Sequence, residues 1–243
     1  MKTWAGKTYW LVGASEGLGR SVAETMSKVG TSLVLSARNG DRLAELAASL
    51  PGPARAVPMD IGDAESVARA AEEVGEIDGM VFLAGVYWPQ PATKWNAGEV
   101  EAMCDINLTG AARVLAHVVP AMVERDRGHI VITGSLSGFR GLPGAIGYCA
   151  SKAGVMSLAE SMYCDLRKTG VQVQLINPGF IRTRLTDKND FSMPFIMEPD
   201  AAAQVFFDHM NTDRFSKSFP GFFSLLFRGG NFLPDWAYYR VFS

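Results

Sequence analysis

The 243-residue sequence has few cysteines, no long hydrophobic run and no block of charge of one sign. Its three cysteines, Cys104, Cys149 and Cys164, form no C-x-x-C pair, so the sequence predicts neither a metal site nor a disulfide framework. We expect free thiols in a reducing compartment. With a formal net charge of −2 and no basic cluster, the sequence gives no indication of nucleic-acid binding.

Membrane-targeting features are also missing. Glycine-rich sequence begins at residue 13, too early to leave room for the apolar core of a signal peptide. No run of 18 apolar residues occurs, and the nearest candidate, FPGFFSLLFRGG at 219–230, is too short to span a bilayer. We therefore expect a soluble, cytoplasmic protein without a transmembrane segment.

Short β-rich runs alternate with helical patterns over most of the chain. Several of the runs are nearly continuously apolar, which is typical of strands covered on both faces. Strands are predicted at 8–12, 31–37, 54–60, 79–85, 128–135 and 171–178, with helices at 20–29, 41–49, 64–74 and 153–168. The alternation predicts an α/β fold with a Rossmann-like, doubly wound parallel sheet and helices on both faces.

No linker-like stretch divides the chain, so we predict a single domain over residues 1–243. After about residue 185 the composition becomes rich in Phe, Met and Pro, and the strand–helix rhythm weakens. We interpret residues 185–243 as an appendage of the same domain that forms a substrate lid, a late helix or an oligomer contact.

A glycine-rich turn, VGASEGLGRSV, follows the first predicted strand and opens a helix. Glycines let the backbone turn tightly and approach a ligand, while the helix amino terminus offers unpaired N–H groups to a phosphate. The alternative is a turn that needs glycine for packing only. In its strand–turn–helix context the turn predicts nucleotide binding by Gly13, Ser15, Gly17, Leu18 and Gly19.

A tyrosine and a lysine, Tyr148 and Lys152, stand four residues apart in AIGYCASKAG. On a helix they share one face, where the ammonium would lower the pKa of the phenol toward the working range. Ser135 ends a predicted strand thirteen residues before the tyrosine, at the sheet edge where open α/β folds bind ligands. Asn107 lies in an earlier helical pattern.

Together these motifs resemble the classical short-chain dehydrogenases/reductases over about residues 6–185. The family's first turn reads TGxxxGxG, and here valine replaces the threonine while the glycines remain. The resemblance implies that Tyr148 exchanges a proton with the substrate oxygen, while Lys152 lowers the tyrosine pKa and binds the nicotinamide ribose. It implies further that Ser135 polarises the substrate oxygen and that Asn107 holds a relay water.

The resemblance also implies cofactor contacts from the loops that follow other strands. One motif departs from the family, because NNAG is replaced by FLAG at residues 82–85. Asn107, Tyr148 and Lys152 belong to the implied cofactor contacts as well as to the catalytic set. The remaining contacts are Asp60 and Ile61 near the adenine, Ala84 and Gly85 near the ribose, and Pro178, Gly179, Ile181 and Thr183 around the nicotinamide.

The end of the second strand, VLSARNGD, bears on the choice of nucleotide. An acid there binds the ribose 2′-hydroxyl of NAD, whereas an arginine accommodates the 2′-phosphate of NADP. Ala37 stands in the place of the acid, followed by Arg38 and Asn39. We therefore predict NADP(H), with NAD(H) as the alternative that Glu16 in the glycine turn would favour.

Loops that follow the strands are rich in apolar and aromatic residues, which suits a hydrophobic carbonyl compound. Packing of a lid or a subunit contact is the alternative. Arg140, Arg182 and Arg184 leave open a clamp for a carboxylate or a phosphopantetheine group. The apolar loop residues are Tyr87, Trp88, Phe139, Leu142, Ile146, Phe180, Phe191, Met193, Phe195, Ile196 and Met197.

The sequence thus predicts an NADP(H)-dependent carbonyl reductase or alcohol dehydrogenase that acts on a small molecule. One alternative is a non-catalytic dinucleotide sensor or scaffold, although such proteins usually have an altered tyrosine or lysine. A second alternative, an epimerase or dehydratase, is disfavoured by the chain length and the glycine spacing.

The aromatic segment at the carboxyl terminus is expected to be buried in a homodimer or homotetramer. The alternative is attachment to a membrane surface, with Lys217, Arg228 and Arg240 near the headgroups.

Overall fold

The computed structural model describes residues 2–242, and it contains one seven-stranded parallel sheet in the order β3-β2-β1-β4-β5-β6-β7. The order reverses between β1 and β4, which creates a topological switch point. The predicted doubly wound parallel fold is confirmed. The strands are β1 (Thr8–Val12), β2 (Ser32–Ser36), β3 (Ala54–Ala56), β4 (Gly79–Phe82), β5 (Gly128–Thr133), β6 (Val171–Pro178) and β7 (Ser216–Phe219).

Nine α-helices surround the sheet within the described residues. A π-helical turn at Asp105–Thr109 joins two of them, and 3-10 turns occur at Ala92–Lys94, Leu136–Gly138 and Thr186–Lys188. The helices are α1 (Gly17–Ser27), α2 (Gly40–Ser49), α3 (Ala64–Val74), α4 (Ala97–Cys104), α5 (Gly110–Glu124), α6 (Ile146–Leu166), α7 (Pro199–Met210), α8 (Gly221–Gly230) and α9 (Asp235–Phe242).

Apolar side chains on the two faces of the sheet form two separate cores. Because successive strand residues point to opposite faces, Trp10 and Phe82 join the core under α3, α5 and α6. We call this the first core. Their neighbours Leu11 and Val81 join the second core, which lies under α1, α2 and α7. Burial on both faces explains why β1, β2, β4 and β5 are largely apolar along their length.

Part of the segment expected as an appendage belongs to these layers. Helix α7 packs against α1, and its Phe206 is fully buried in the second core. Strand β7 pairs with β6 as the edge of the sheet, from Leu175 opposite Ser216 to Pro178 opposite Phe219. Its sequence SKSF has three polar residues out of four, so no apolar run in the sequence predicted this strand.

Among the described residues, the helical stretch Ala97–Glu124 is long and apolar enough to cross a membrane by length and composition alone. Counting uninterrupted apolar residues did not reveal it, because polar residues are spread along it. Val114 and Val118 of this stretch are buried in the first core beneath the sheet. Core helices of soluble proteins pass the same test, so this is weak evidence for a membrane span.

Replacing Phe206 tests whether α7 belongs to the core. Phe206→Ala should lower the free energy of unfolding by about 3–5 kcal/mol, because it leaves a cavity at a fully buried position. Urea unfolding measures this loss. In the matched variant Trp95→Ala the replaced side chain is 57% exposed, and the loss should stay below about 1 kcal/mol. Equal losses in the two variants would contradict the assignment of α7 to the core.

Candidate active site

A cleft of about 840 Å³ opens at the carboxyl ends of the strands around the switch point between β1 and β4. The segments that follow β1 to β6 contribute to its walls, and most of the residues predicted to contact a cofactor line it. They are Gly13, Ser15, Gly17, Leu18, Gly19, Arg38, Asn39, Ile61, Ala84, Gly85, Tyr148, Lys152, Pro178, Gly179, Ile181 and Thr183.

The glycine turn packs too closely to admit side chains. Gly13 has a φ of +95°, and a Cβ there would lie 2.4 Å from the backbone nitrogen of Ala84. A Cβ at Gly19 would lie 2.0 Å from the Gly13 carbonyl oxygen. Packing therefore accounts for these two glycines. It does not explain the start of α1, where Glu16 supplies no side-chain cap and the first-turn residues line the cleft.

Three arginines and Glu16 stand at the end of the cleft near β2 and the turn after β6. Glu16 Oε2 lies 2.9 Å from Arg42 Nη1 and 2.7 Å from Arg184 Nη1, so its charge is paired. Arg38 lines the cleft without a hydrogen bond or ion pair to the described residues. Sequence reasoning missed Arg42 as a cleft residue, although the second arginine of RNGDR was a visible signal.

Asp60 is not among the residues that line the cleft, and its contact with the adenine stays a prediction. Its exposed carboxylate accepts a hydrogen bond from Gly62 N at 2.9 Å, which closes the turn before α3. Asp63 caps α3 by accepting from Glu65 N at 2.9 Å. The acid after β3 therefore serves local turn geometry, while Ile61 beside it does reach the cleft.

Asn107 lies in the π-helical turn, is fully buried and has no surface in the cleft. Its Oδ1 accepts from Val86 N at 2.8 Å, and its Nδ2 donates to Val86 O and to Ser151 Oγ, both at 3.0 Å. The side chain thus ties the loop after β4 to α6. A Cβ added at Gly85 would lie 3.4 Å from Asn107 Oδ1 and 3.7 Å from Lys152 Nζ, so this anchor adjoins the lysine.

Lys152 is a buried cation, with 4% of its surface exposed. Its Nζ donates to the Thr133 carbonyl oxygen at 3.0 Å, at the end of β5. Burial lowers the pKa of Lys152 to about 8, because desolvation disfavours the charged form. Helix α6 presents Lys152 and Tyr148 on one face, with Nζ 5.8 Å from the centre of the phenol ring.

Burial raises the pKa of Tyr148 to about 12, and a hydrogen bond with Ser135 opposes this shift. The sequence predicted a lowered pKa from the nearby ammonium. Here desolvation is the larger effect, and Lys152 Nζ donates to Thr133. Tyr148 is therefore a protonated phenol at neutral pH. Ser135, rather than Ser137, bonds the tyrosine, while the Ser137 backbone N–H donates to Ser135 Oγ at 3.1 Å.

One aromatic ring meets the tyrosine of this pair. The rings of Tyr87 and Tyr148 lie edge to face, with centroids 5.0 Å apart. A second group of rings lies in the loop after β6, where Phe180 lies 5.9 Å from both Phe191 and Phe223. This group contains Phe223 from α8, which the sequence had not indicated.

Other residues predicted at the mouth have structural partners elsewhere. Phe139 and Met197 pack against the two cores. Arg140 donates to the Gly230 and Leu233 carbonyl oxygens, both at 2.9 Å. The remaining two candidates for an anion clamp are also paired, Arg182 with Glu198 and Arg184 with Glu16, both at 2.7 Å.

Comparison with known proteins identifies the family. The family model for short chain dehydrogenase matches residues 7–192. An uncharacterized oxidoreductase of Myxococcus xanthus is 39% identical over 206 residues, which cover 82% of this chain and 81% of that protein. A short-chain dehydrogenase from Sphingobium yanoikuyae in complex with NADPH is 26% identical, with a TM-score of 0.82 over 92% of this chain and 91% of that chain.

A short chain dehydrogenase/reductase from Burkholderia phymatum in complex with NAD has the same fold, with a TM-score of 0.86, 24% identity and 94% coverage of both chains. The family match covers more than half of the chain and agrees with the glycine turn, the strand order and the Tyr148–Lys152 spacing. The chain therefore belongs to the short-chain dehydrogenase family of oxidoreductases.

Proposed function

We propose that this protein is an NADP(H)-dependent oxidoreductase that interconverts an apolar carbonyl compound and its secondary alcohol. The proposal is carried by one observation: a protonated phenol, bonded to Ser135 and adjacent to the buried ammonium of Lys152, faces the cleft that the glycine turn lines. Asn107, Ser135, Tyr148 and Lys152 are the proposed catalytic set.

The cleft fits a dinucleotide in chemistry. Its walls include a helix start without a side-chain cap, backbone held close by side-chain-free glycines, and an arginine, Arg38, that pairs with none of the described residues. These features suit phosphate groups. A bound nicotinamide supplies or accepts the hydride, and the residues of this chain hold it and handle the proton. We propose that the predicted residues that line the cleft form the cofactor contacts.

NADP(H) is the proposed cofactor because of the side chains at the end of β2. Ala37 offers no carboxylate to a ribose 2′-hydroxyl, and Arg38 lies at the cleft without an ion pair to any carboxylate of residues 2–242. Glu16 opposes a phosphate less than its charge suggests, since Arg42 and Arg184 bind the same carboxylate oxygen. The local balance of charge is therefore positive.

Proton transfer in the reductive direction follows from the protonation states. Tyr148 gives its phenolic proton to the carbonyl oxygen as hydride reaches the carbon, and the product is the alcohol. Ser135 donates a hydrogen bond to the same oxygen as negative charge develops there. Lys152 stabilises the phenolate that Tyr148 becomes, because its ammonium is largely charged at neutral pH.

The substrate is proposed to be apolar or bulky near its carbonyl group. Tyr87 meets the reacting phenol edge to face, and Phe180, which follows the cleft-lining Gly179, packs against Phe191 and Phe223. All three arginines that could bind an anionic substrate group are committed to carboxylates or carbonyl oxygens of the chain itself. A charged substrate would have to break one of these pairs.

Tyr148→Phe tests the proposed reaction. Turnover of a panel of ketones, aldehydes and quinones, followed by NADPH absorbance, should fall by three orders of magnitude or more, roughly the loss expected when an essential proton donor is removed. NADPH binding should persist. Tyr163→Phe on the same helix is the matched control, since Tyr163 stacks on Phe215 at 4.3 Å, and it should stay active. Cofactor binding without turnover in the unaltered protein would support the sensor alternative.

The buried lysine predicts a pH profile. Reductive kcat should be constant near neutral pH and fall as pH rises through about 8, because Lys152 then loses the charge that stabilises the phenolate. Tyr148 stays protonated over this range, since its pKa is about 12. In Lys152→Arg the guanidinium stays charged, so the fall should move to higher pH. A wild-type profile that is flat to pH 10 would contradict this role.

Arg38→Ser tests the cofactor preference. Removing a guanidinium that binds a phosphate should weaken NADPH binding about 10- to 100-fold, in line with 1.5–3 kcal/mol for a charge-assisted hydrogen bond. NADH binding should change little. Arg69→Ser is the control, because Arg69 is exposed and pairs with Glu65 away from the cleft. Isothermal titration measures both cofactors, and tighter binding of NADH by the unaltered protein would overturn the preference.

A further inference from the structure

The last two helices present apolar side chains to solvent. Eight of the thirteen large apolar side chains that are exposed among the described residues lie between 222 and 241. A contiguous exposed apolar surface marks an interaction site in a soluble domain. We call this surface the C-terminal patch, and it consists of Phe222, Leu225, Leu226, Phe232, Leu233, Trp236, Tyr239 and Val241.

Helical spacing arranges the patch on outward faces. Phe222, Leu225 and Leu226 recur at i, i+3 and i+4 on α8 and are 72%, 60% and 53% exposed. On α9 the outward Trp236 is 74% exposed, whereas Tyr238 is buried. Each helix therefore has an apolar inner face and an apolar outer face.

Contacts of Arg140 and Tyr238, which we call the latch, hold the patch in place. Arg140, from the loop after β5, donates to two carbonyl oxygens of the α8–α9 connection, pairs with Asp235 and lies 4.0 Å from the ring centre of Tyr238. The Tyr238 hydroxyl donates to the Gly141 carbonyl oxygen at 2.8 Å. The outer apolar faces are thus exposed even though both helices are folded and fixed to the rest of the domain.

Charge distinguishes the possible occupants of the patch. Residues 215–243 contain three basic residues and one acid, whereas residues 1–214 contain twenty basic and twenty-four acidic residues. The single acid, Asp235, pairs with Arg140. A second copy placed on the patch would bring its own Lys217, Arg228 and Arg240 toward these three basic residues, and the like charges would repel one another. An anionic surface would supply the missing counter-charge.

We propose that the C-terminal patch binds the surface of a bilayer that contains anionic phospholipid. The helices would lie in the interface, with Trp236 and Tyr239 at headgroup level and the basic side chains against the phosphates. Two short helices of ten and eight residues lie on a bilayer rather than cross it.

The patch adjoins the mouth of the cleft. Phe223, on the inner side of α8, lies 5.9 Å from Phe180 and 5.6 Å from Phe195, which is itself 57% exposed. Docking would therefore bring the mouth to a phase in which apolar carbonyl compounds dissolve. This consequence rests on the proposed function, whereas docking itself does not.

Vesicle flotation tests the docking without any turnover. The protein should float with vesicles of phosphatidylcholine and phosphatidylglycerol, and at least about tenfold less with phosphatidylcholine alone or at high salt. Phe222→Ser/Trp236→Ser should reduce binding at least about tenfold, because it removes two inserted side chains. Arg228→Glu/Arg240→Glu should abolish the preference for phosphatidylglycerol.

Matched controls carry the same changes outside the patch. Val29→Ser replaces another exposed apolar side chain, and Lys28→Glu/Lys168→Glu reverses two exposed charges. Both should float like the unaltered protein, and thermal unfolding should show every variant folded. Absence of binding to anionic vesicles would overturn the proposal. Light scattering that shows the patch variants breaking an oligomer would overturn it too, in favour of a second copy. Because flotation needs no substrate, neither result depends on the proposed reaction.

Discussion

The reversal of strand order between β1 and β4 is the constraint on which the cleft depends. The chain leaves β1 toward one face of the sheet, where α1 packs in the second core, and leaves β4 toward α5 on the opposite face. The two departing segments separate above adjacent strands, and the opening between them is the cleft. Just below this opening they touch, so Gly13 has no room for a Cβ beside Ala84.

The site requires a buried lysine, and burial of a charged group is energetically unfavourable. Desolvation lowers the pKa of Lys152, and the Thr133 carbonyl oxygen compensates only in part for lost water. Hydrogen bonds hold the surrounding segments in place, since Asn107 joins the loop after β4 to α6 through Val86 and Ser151. The π-helical turn at Asp105–Thr109 is the local irregularity that accompanies Asn107 at this junction. A regular helix over 97–124 would lack it.

Features that depend on neighbours in sequence were predictable, and features that depend on distant neighbours were not. Apolar runs indicated most of the strands because burial on two faces favours apolar residues, and the Tyr148–Lys152 spacing indicated one helical face. The direction of the Tyr148 pKa was not predictable, since it follows from burial by other segments. The pairing of Glu16 with Arg184 joins residues 168 positions apart, which no local pattern encodes.

The same long-range pairings connect the site to the end of the chain. Arg140 stands between Ser135 and Tyr148 in sequence, and its guanidinium fastens the α8–α9 connection. An arginine that could have bound a substrate anion therefore builds an apolar wall, because the latch holds α8 where Phe223 reaches Phe180. The loop that leads into α6, the helix of the candidate proton donor, is consequently packed together with the helices that carry the exposed rings. Any partner that binds those rings is in mechanical contact with the mouth of the cleft.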